Sequence, residues 1–338
     1  MKKKYCFLNI IFLLLSIYFS LSNKLEKSYL NKNNNTNSSK RKLENDEDYK
    51  PIRILFDRES LELASSGIKD FPKETFYSTF NKITNITQKL IRVIPSKNPI
   101  KLDFSKYPQL NRTIVNGSLI EGNKNYDLII IADIKTQTTI DLDSIPILRD
   151  ESTHRITLGI FNIMFRNPTP DNYYHYLEFL LLQHIIDFLA FSYDSFNFFP
   201  GGKENTYVTG KDIFDLDRNY IITPKVMSFA KKYFDCDSIT GVPLENQPEN
   251  NNKARWESRI LLGEIMSSYS YTPDQVLSEF TLSLLEDSGW YKVNYYTGGL
   301  MRFGKNKGCQ FLTEDCSVKF KNEFFKDNKK KCPNLFIW

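Results

Sequence analysis

Runs of apolar residues in the first half of the chain predict a mixed unit of strands and helices. The runs at 51–56 (PIRILF), 126–134 (YDLIIIADI) and 155–165 (RITLGIFNIMF) are predicted to be strands. Apolar residues at helical spacing over 75–93 predict an amphipathic helix after the first strand. A second helix is expected over 171–189, because Asp171 is a suitable N-cap residue.

The second half predicts shorter and less regular elements. Pro224 suits the first turn of a short helix that ends near Phe234. Another helix is expected to begin at Thr272, since residues 272–275 (TPDQ) have the pattern of a capping box with Pro at the first helical position. Gly289 is placed to end that helix.

The first 22 residues predict entry into the secretory pathway. Residues 2–4 are lysines, residues 6–21 are mostly apolar, and small residues precede a cleavage point before Asn23. An uncleaved membrane anchor is the alternative, although the apolar run is short for a bilayer span. Residues 23–48 are polar and are expected to be flexible. We therefore expect a secreted or cell-surface protein without a transmembrane span after signal removal.

Composition and charge fit that expectation and narrow the function classes. Apolar residues make up 41% and aromatic residues 14% of the chain, as in folded globular proteins. The net charge of +5 is spread along the sequence without a basic stripe, so no nucleic-acid partner is expected. Five Asn-x-Ser/Thr sites are candidates for glycosylation. They are Asn34, Asn37, Asn85, Asn111 and Asn116.

Cysteine usage favours disulfides over a metal site. Cys6 lies in the predicted signal peptide, and four cysteines remain after its removal. These are Cys236, Cys309, Cys316 and Cys332. They allow two disulfides in three possible connectivities. A zinc site built on cysteines is the alternative, but no CxxC spacing supports it.

Several blocks between Pro51 and Cys316 resemble one protein family. The most specific blocks are GVPLENQ, ARWESR and GEIM, which follow one another between Gly241 and Met266. PIRILFD, TPKVMSFAKKYFDC and GCQFL also match. In these blocks the chain resembles the leishmanolysin family of metzincin zinc endopeptidases. The resemblance implies an α+β, metzincin-like catalytic-domain fold. A mixed twisted sheet with the active-site helix would occupy 49–199, and a mainly helical or irregular part with a shortened Cys-containing tail would occupy 200–338.

The family's zinc-binding helix has a counterpart here with different residues. The family binds zinc through the two His of His-Glu-x-x-His, and the Glu takes a proton from the zinc-bound water. Leu189-Ala190-Phe191-Ser192 resembles the stretch that follows this motif and fixes the register. Gln183 and Asp187 then take the two ligand positions, and His184 takes the position of the Glu.

The third ligand position differs as well. Where the family has His-Trp-Glu, this chain has Arg255-Trp256-Glu257, while Met266 keeps the place of the Met-turn. A Gln amide is a poor zinc ligand, and a guanidinium has no acceptor to offer a metal. The family's propeptide Cys also has no counterpart, because no Cys lies between Cys6 and Cys236. We therefore expect no cofactor and a catalytically inactive protein that binds a protein or peptide, for example in adhesion.

The resemblance also predicts an ion pair between Asp187 and Arg255, since the two ligand positions meet in the family fold. This pair would fill the vacated metal cavity. The alternatives are an Arg255 turned to solvent, or a different metal held by His184 and Asp187. An active zinc endopeptidase with unusual ligands and a purely structural glycoprotein are the alternative functions. Glu178, Glu257 and Glu264 are other possible bases, and the last two belong to the family pattern and are expected to be structural.

Overall fold

The structure, a computed structural model, describes residues 46–107, 119, 121–136, 141–165, 173–246, 253–268, 275–295 and 300–314. All of them lie in the compact unit that begins at Asp46. The helices are α1 (Arg58–Ala64), α2 (Lys73–Leu90), α3 (Tyr173–Leu189), α4 (Tyr193–Phe196), α5 (Pro224–Phe234), α6 (Glu279–Asp287) and α7 (Cys309–Thr313). The strands are β1 (Lys50–Pro51), β2 (Ile54–Phe56), β3 (Ile91–Val93), β4 (Leu128–Thr136), β5 (Asp141–Arg149), β6 (Ile156–Phe165), β7 (Tyr207–Lys211), β8 (Asp217–Ile221), β9 (Val242–Pro243) and β10 (Tyr291–Val293). None of the helices in these ranges is both long and apolar enough to cross a bilayer.

The central sheet has the strand order β2-β4-β6-β5. Strands β2, β4 and β6 run parallel, and β5 pairs antiparallel with β6 at one edge. Successive residues of β4 point to opposite faces: Ile130 joins the main core, and Ile129 joins a second apolar cluster with Leu102 and Leu119. Burial on both faces explains why β4 and β6 are apolar almost throughout.

Strand β5 was not predicted from the sequence. Its sequence, DLDSIPILR, combines polar residues with Pro146, which pairs with Gly159 of β6. A proline is tolerated at a sheet edge because only one side of the strand is hydrogen-bonded. The first predicted strand is also divided, because Pro51 belongs to β1 and only residues 54–56 join the central sheet.

Helix α3 lies against the sheet through an unusually close contact with β6. The ring of Phe188 stacks on Phe161 with centroids 5.6 Å apart and lies over Gly159, which has no side chain to block it. Phe188 and its neighbours Ile185 and Leu189 are fully buried. This contact positions the helix that carries the candidate site.

The second half packs onto the same core and contains a sheet of its own. Strands β7, β8 and β9 form an antiparallel sheet in that order, in addition to the helical and irregular segments that were expected. Helices α5 and α6 pack through Phe234 and Phe280, whose ring centroids are 5.6 Å apart. A disulfide joins Cys236 to Cys309. The α+β fold class is confirmed.

The predicted start of the last long helix was wrong. Thr272 to Asp274 lie outside the described residues, and α6 begins at Glu279, where the side chain of Ser278 accepts a hydrogen bond from the Phe280 amide. Val276 is not helical because its amide donates to Gly263 and its carbonyl accepts from Ile265. The predicted end was right, since Gly289 follows the helix with a positive φ of 75°.

Replacing Gly159 with Ala is expected to lower the free energy of unfolding by about 1–3 kcal/mol, because the added methyl group would overlap the buried Phe188 ring. Urea unfolding monitored by circular dichroism measures the change. Gly210→Ala is the matched control, since its methyl group would meet Tyr220 at an ordinary 3.5 Å. Equal effects of the two substitutions would contradict this account of the helix–sheet contact.

Candidate active site

A bidentate ion pair joins α3 to the segment that follows residue 252. Arg255 Nη1 lies 2.6 Å from Asp187 Oδ1, and Nη2 lies 3.0 Å from Oδ2. The two residues are 68 positions apart in sequence. Nη1 also donates to the carbonyl of Ala254 at 2.7 Å. Only 8% of the Arg255 side chain and 5% of the Asp187 side chain are exposed, so the pair is shielded from water.

The same carboxylate holds two further side chains. Ser144 of β5 donates its hydroxyl to Asp187 Oδ2 at 3.0 Å. His184 Nδ1 lies 3.1 Å from Asp187 Oδ2 and 3.1 Å from Ser144 Oγ. Asp187 therefore ties the edge strand, α3 and the Arg255 segment together at one point.

The charge states follow from burial and from these partners. Burial alone would raise the pKa of Asp187, but the Arg255 charge and the hydrogen bond from His184 outweigh it, and the pKa is lowered. Burial lowers the pKa of His184, although the Asp187 carboxylate opposes this change. The site thus holds an ionised carboxylate, a guanidinium and a neutral imidazole at neutral pH.

Ser144, His184 and Asp187 have the residue types of a hydrolase triad without its geometry. In a triad, one imidazole nitrogen contacts the Ser and the other contacts the Asp. Here Ser144 and Asp187 both lie next to the same nitrogen, Nδ1 of His184. The hydroxyl proton of Ser144 is also directed at Asp187. This arrangement cannot relay a proton through the ring.

Gln183 links α3 to the loop that contains Met266. Its Nε2 donates to the carbonyl of Ile265 at 2.8 Å and lies 3.4 Å from the carbonyl of Ser267. Met266, between these two residues, is fully buried. The amide group of Gln183 therefore fastens the helix directly to the turn.

Glu264 fastens the same loop to α6. Its carboxylate accepts hydrogen bonds from the Met266 amide, from the amide and hydroxyl of Ser278, and from Thr281 Oγ1 at 2.6 Å. Thr281 in turn accepts a hydrogen bond from Trp256 Nε1 at 2.9 Å. Burial raises the pKa of Glu264 to about 7 despite these donors.

The part of the chain that contains this site is similar to known proteins. The family model described as Leishmanolysin matches residues 181–334, a range that contains Gln183, Asp187, Arg255 and Met266. Over this range, which is somewhat less than half of the chain, the sequence is similar to the leishmanolysin family. A leishmanolysin-like peptidase of Drosophila pseudoobscura pseudoobscura is 38% identical over 115 residues, which are 34% of this chain and 16% of that protein.

Other relatives show the same partial overlap. The leishmanolysin homolog of Crithidia fasciculata is 30% identical over 186 residues, 55% of this chain and 26% of that protein. The ciliated left-right organizer metallopeptidase of Xenopus laevis is 32% identical over 120 residues, 35% of this chain and 16% of that protein. The matched region thus spans between about a sixth and about a quarter of each of these leishmanolysin relatives.

The side chains at the positions predicted to correspond to the family's zinc ligands do not fit a zinc ion. A zinc site needs about three protein donors that converge on one open point. Both carboxylate oxygens of Asp187 are bonded to Arg255, which offers no acceptor, and the amide nitrogen of Gln183 is bonded to the loop. Within the described ranges, no three His, Cys, Asp or Glu residues are arranged to hold a metal. The alternative metal on His184 and Asp187 thus has no third ligand there.

A second ion pair covers this region from the side of β5. Lys253 is paired with Asp143, the residue before Ser144, and Lys253 also forms a bridge with Ser192. Sequence reasoning missed Ser144, Asp143 and Lys253, because nothing in their local pattern relates the edge strand to the helix. Gln183, His184, Asp187 and Arg255, the four positions predicted to correspond to the family's ligands and base, are buried, with exposed fractions between 3% and 8%.

The remaining candidate residues lie in other environments. Glu178 is paired with Lys82 at the surface, and Glu257 lies near Arg218 and Arg259. Asn85 is exposed on α2. The other glycosylation and cysteine candidates lie outside the described residues, as does the side chain of His175. These candidates are Asn34, Asn37, Asn111, Asn116, Cys316 and Cys332.

Removing one member of the central ion pair is expected to cost about 3–5 kcal/mol of unfolding free energy, because the other charge stays buried without its partner. Asp187→Leu and Arg255→Met should each show this loss in urea unfolding at neutral pH. The double variant should lose less than the sum of the two single losses. Glu178→Ala, on the same helix, is the control and should cost less than about 1 kcal/mol, because its ion pair with Lys82 is exposed. Additive losses at positions 187 and 255 would contradict a direct coupling.

Glu264 is expected to make stability depend on pH. Its folded pKa of about 7 lies above the ordinary value of 4.5, so the folded state binds the proton more tightly than the unfolded state. This contribution is complete below about pH 4.5 and is lost as the pH rises towards 7, by about 1–3 kcal/mol. Urea unfolding at several pH values should show a flatter profile for Glu264→Gln. Identical pH slopes in the two proteins would show that the carboxyl does not titrate in this range.

Proposed function

We propose that this chain is a secreted, catalytically inactive leishmanolysin-like protein that acts by binding a partner. The observation that carries the proposal is the bidentate contact between Arg255 and Asp187, which stand at two of the three ligand positions. A metal bound there would have to displace a guanidinium from a buried carboxylate and then lie beside its positive charge. Coulomb repulsion at that distance in a water-poor site disfavours a divalent cation.

If no metal binds, a base at this position has no metal-bound water to deprotonate. In the family reaction, zinc acidifies a water molecule, and a neighbouring carboxylate takes the proton. His184 stands at the base position, but its Nδ1 is held between Asp187 and Ser144. Without a metal the chain offers no acidified water to this imidazole.

The surroundings of the site favour a partner bound elsewhere on the surface. The Asp143–Lys253 pair connects the edge strand to the Arg255 segment. Asp187 and Arg255 are themselves buried, so little of either side chain is exposed for a peptide to contact. The disulfide between Cys236 and Cys309 supports an oxidising, extracytoplasmic location.

The alternative is an active zinc metalloendopeptidase with atypical ligands. Two observations favour it: the relatives are named as peptidases, and Met266 is retained and buried under the helix. A buried Met is also an ordinary core residue, so this second observation does not require a metal. Zinc binding and proteolysis separate the two functions directly.

Zinc content per chain is expected to be close to zero in the purified protein after mild dialysis, as measured by elemental mass spectrometry. The Xenopus laevis protein, whose name describes it as a metallopeptidase, is purified in the same way as the positive control for the preparation. Casein and gelatin cleavage should also be absent, with and without a chelator. About one zinc per chain together with chelator-sensitive cleavage would contradict the proposal, and His184 and Asp187 would then be the first ligands to test by substitution.

A further inference from the structure

Basic residues from two distant segments lie near the C-terminal end of α5. Lys231 and Lys232 occupy the last turn of this helix. Arg302, Lys305 and Lys307 belong to the loop over residues 300–308. All five side chains are exposed, and together they are called the basic patch below.

Backbone hydrogen bonds hold the loop against the helix end. The Asn306 amide donates to the Tyr233 carbonyl at 2.9 Å, and the Gly308 amide donates to the Phe234 carbonyl at 2.7 Å. The Tyr233 hydroxyl also donates to the Phe303 carbonyl at 2.8 Å. These bonds satisfy carbonyls that a helix end leaves open. They place Lys305 and Lys307, on either side of Asn306, next to the last turn of α5.

The loop has a defined shape. Gly304, Asn306 and Gly308 have positive φ values of 75°, 58° and 76°, which turn the chain back repeatedly within five residues. Gly304 lies against the ring of Phe311, where a side chain would not fit. The disulfide between Cys236 and Cys309 links both segments covalently just beyond the patch. The cations are therefore attached to an ordered backbone, which reduces the entropy lost when a ligand binds.

Positive charges predominate among the exposed charged residues of these two segments. Asp235 and Asp237 are exposed directly after α5 and reduce the five positive charges of the patch to a net of three, 5 − 2. The partial negative charge at the helix end favours Lys231 and Lys232 there. Clustered charge of one sign raises the local concentration of oppositely charged ligands. This cluster of positive charge is not evident from the sequence, because the two segments that form it are about 70 residues apart.

We propose that the basic patch binds a sulfated polysaccharide. Sulfate groups repeated along a polymer match several exposed ammonium and guanidinium groups on one surface, which is the arrangement of heparin-type sites. A membrane surface is disfavoured, because interfacial binding needs an extended apolar area. Within residues 300–308 only one large hydrophobic residue, Leu300, is exposed (79%). The inference gives a partner class to the proposed binding role and rests on its extracytoplasmic location. It does not require the loss of catalysis.

Binding of a heparin fragment to the full chain tests the proposal. The affinity at about 0.15 M salt should fall by roughly tenfold in the variant Lys231→Gln/Lys232→Gln/Lys305→Gln, and the salt dependence should become shallower. The variant Lys89→Gln/Lys101→Gln/Lys124→Gln removes the same charge from exposed lysines elsewhere and should retain most of the affinity. The opposite change, Asp235→Asn/Asp237→Asn, should strengthen binding. Desulfated heparin should bind weakly to every variant.

Four results would overturn the proposal. They are no binding by the parent chain, equal losses in the two lysine variants, equal binding of desulfated heparin, and binding to phosphatidylserine vesicles without binding to heparin. Circular dichroism should show that each variant is folded. Zinc content and casein cleavage, measured on the same patch variant and its parent, should be equal. A failure of the heparin result is thereby separated from a failure of the proposed loss of catalysis.

Discussion

The buried ion pair between Asp187 and Arg255 is the constraint on which the arrangement of the site depends. Neither charge can be left alone at this depth, so α3 and the segment around Arg255 must stay together in the folded state. The amide of Trp256 donates to the carbonyl of Met266, and the carbonyl of Arg255 accepts from the amide of Glu245. The ion pair thus fixes α3 relative to the loop that contains Met266 and to the stretch around Glu245.

Side-chain contacts join α3 to the segments around Arg255 and Met266, and their energetics differ from those of a structural metal ion. A structural zinc ion can contribute about 10–16 kcal/mol to folding, whereas a buried ion pair is often no better than an apolar replacement. We interpret the pair, with Gln183 and Ser144, as specifying the position of the helix. Most of the stability must then come from apolar packing, such as Phe188 on Phe161 and Phe191 on Trp256.

The sequence was most informative where burial is uniform and least informative where distant residues meet. Strands β4 and β6 and helix α3 were predicted because their apolar runs reflect burial on most sides. Strand β5 was missed since an edge strand with Pro146 carries no such run, and α6 was misplaced because Val276 bonds to a distant loop. The proximity of Asp187 and Arg255 was predicted only through the family resemblance. Ser144, Lys253 and the basic patch had no local signal, since their partners are far away in sequence.

The contacts also indicate that the predicted counterpart of the family's zinc site would need more than one substitution to bind a metal. A His at position 255 would free Asp187, but it would leave an anionic carboxylate, a Gln whose amide nitrogen is bonded to the loop, and a base position occupied by an imidazole. His184, Asp187 and Arg255 are linked through Asp187, and Gln183 bonds to the loop, so each replacement leaves a neighbour without one of its partners. Because unpaired buried polar groups cost about 1–3 kcal/mol each, intermediates towards a metal site would lose stability before they gained a ligand set.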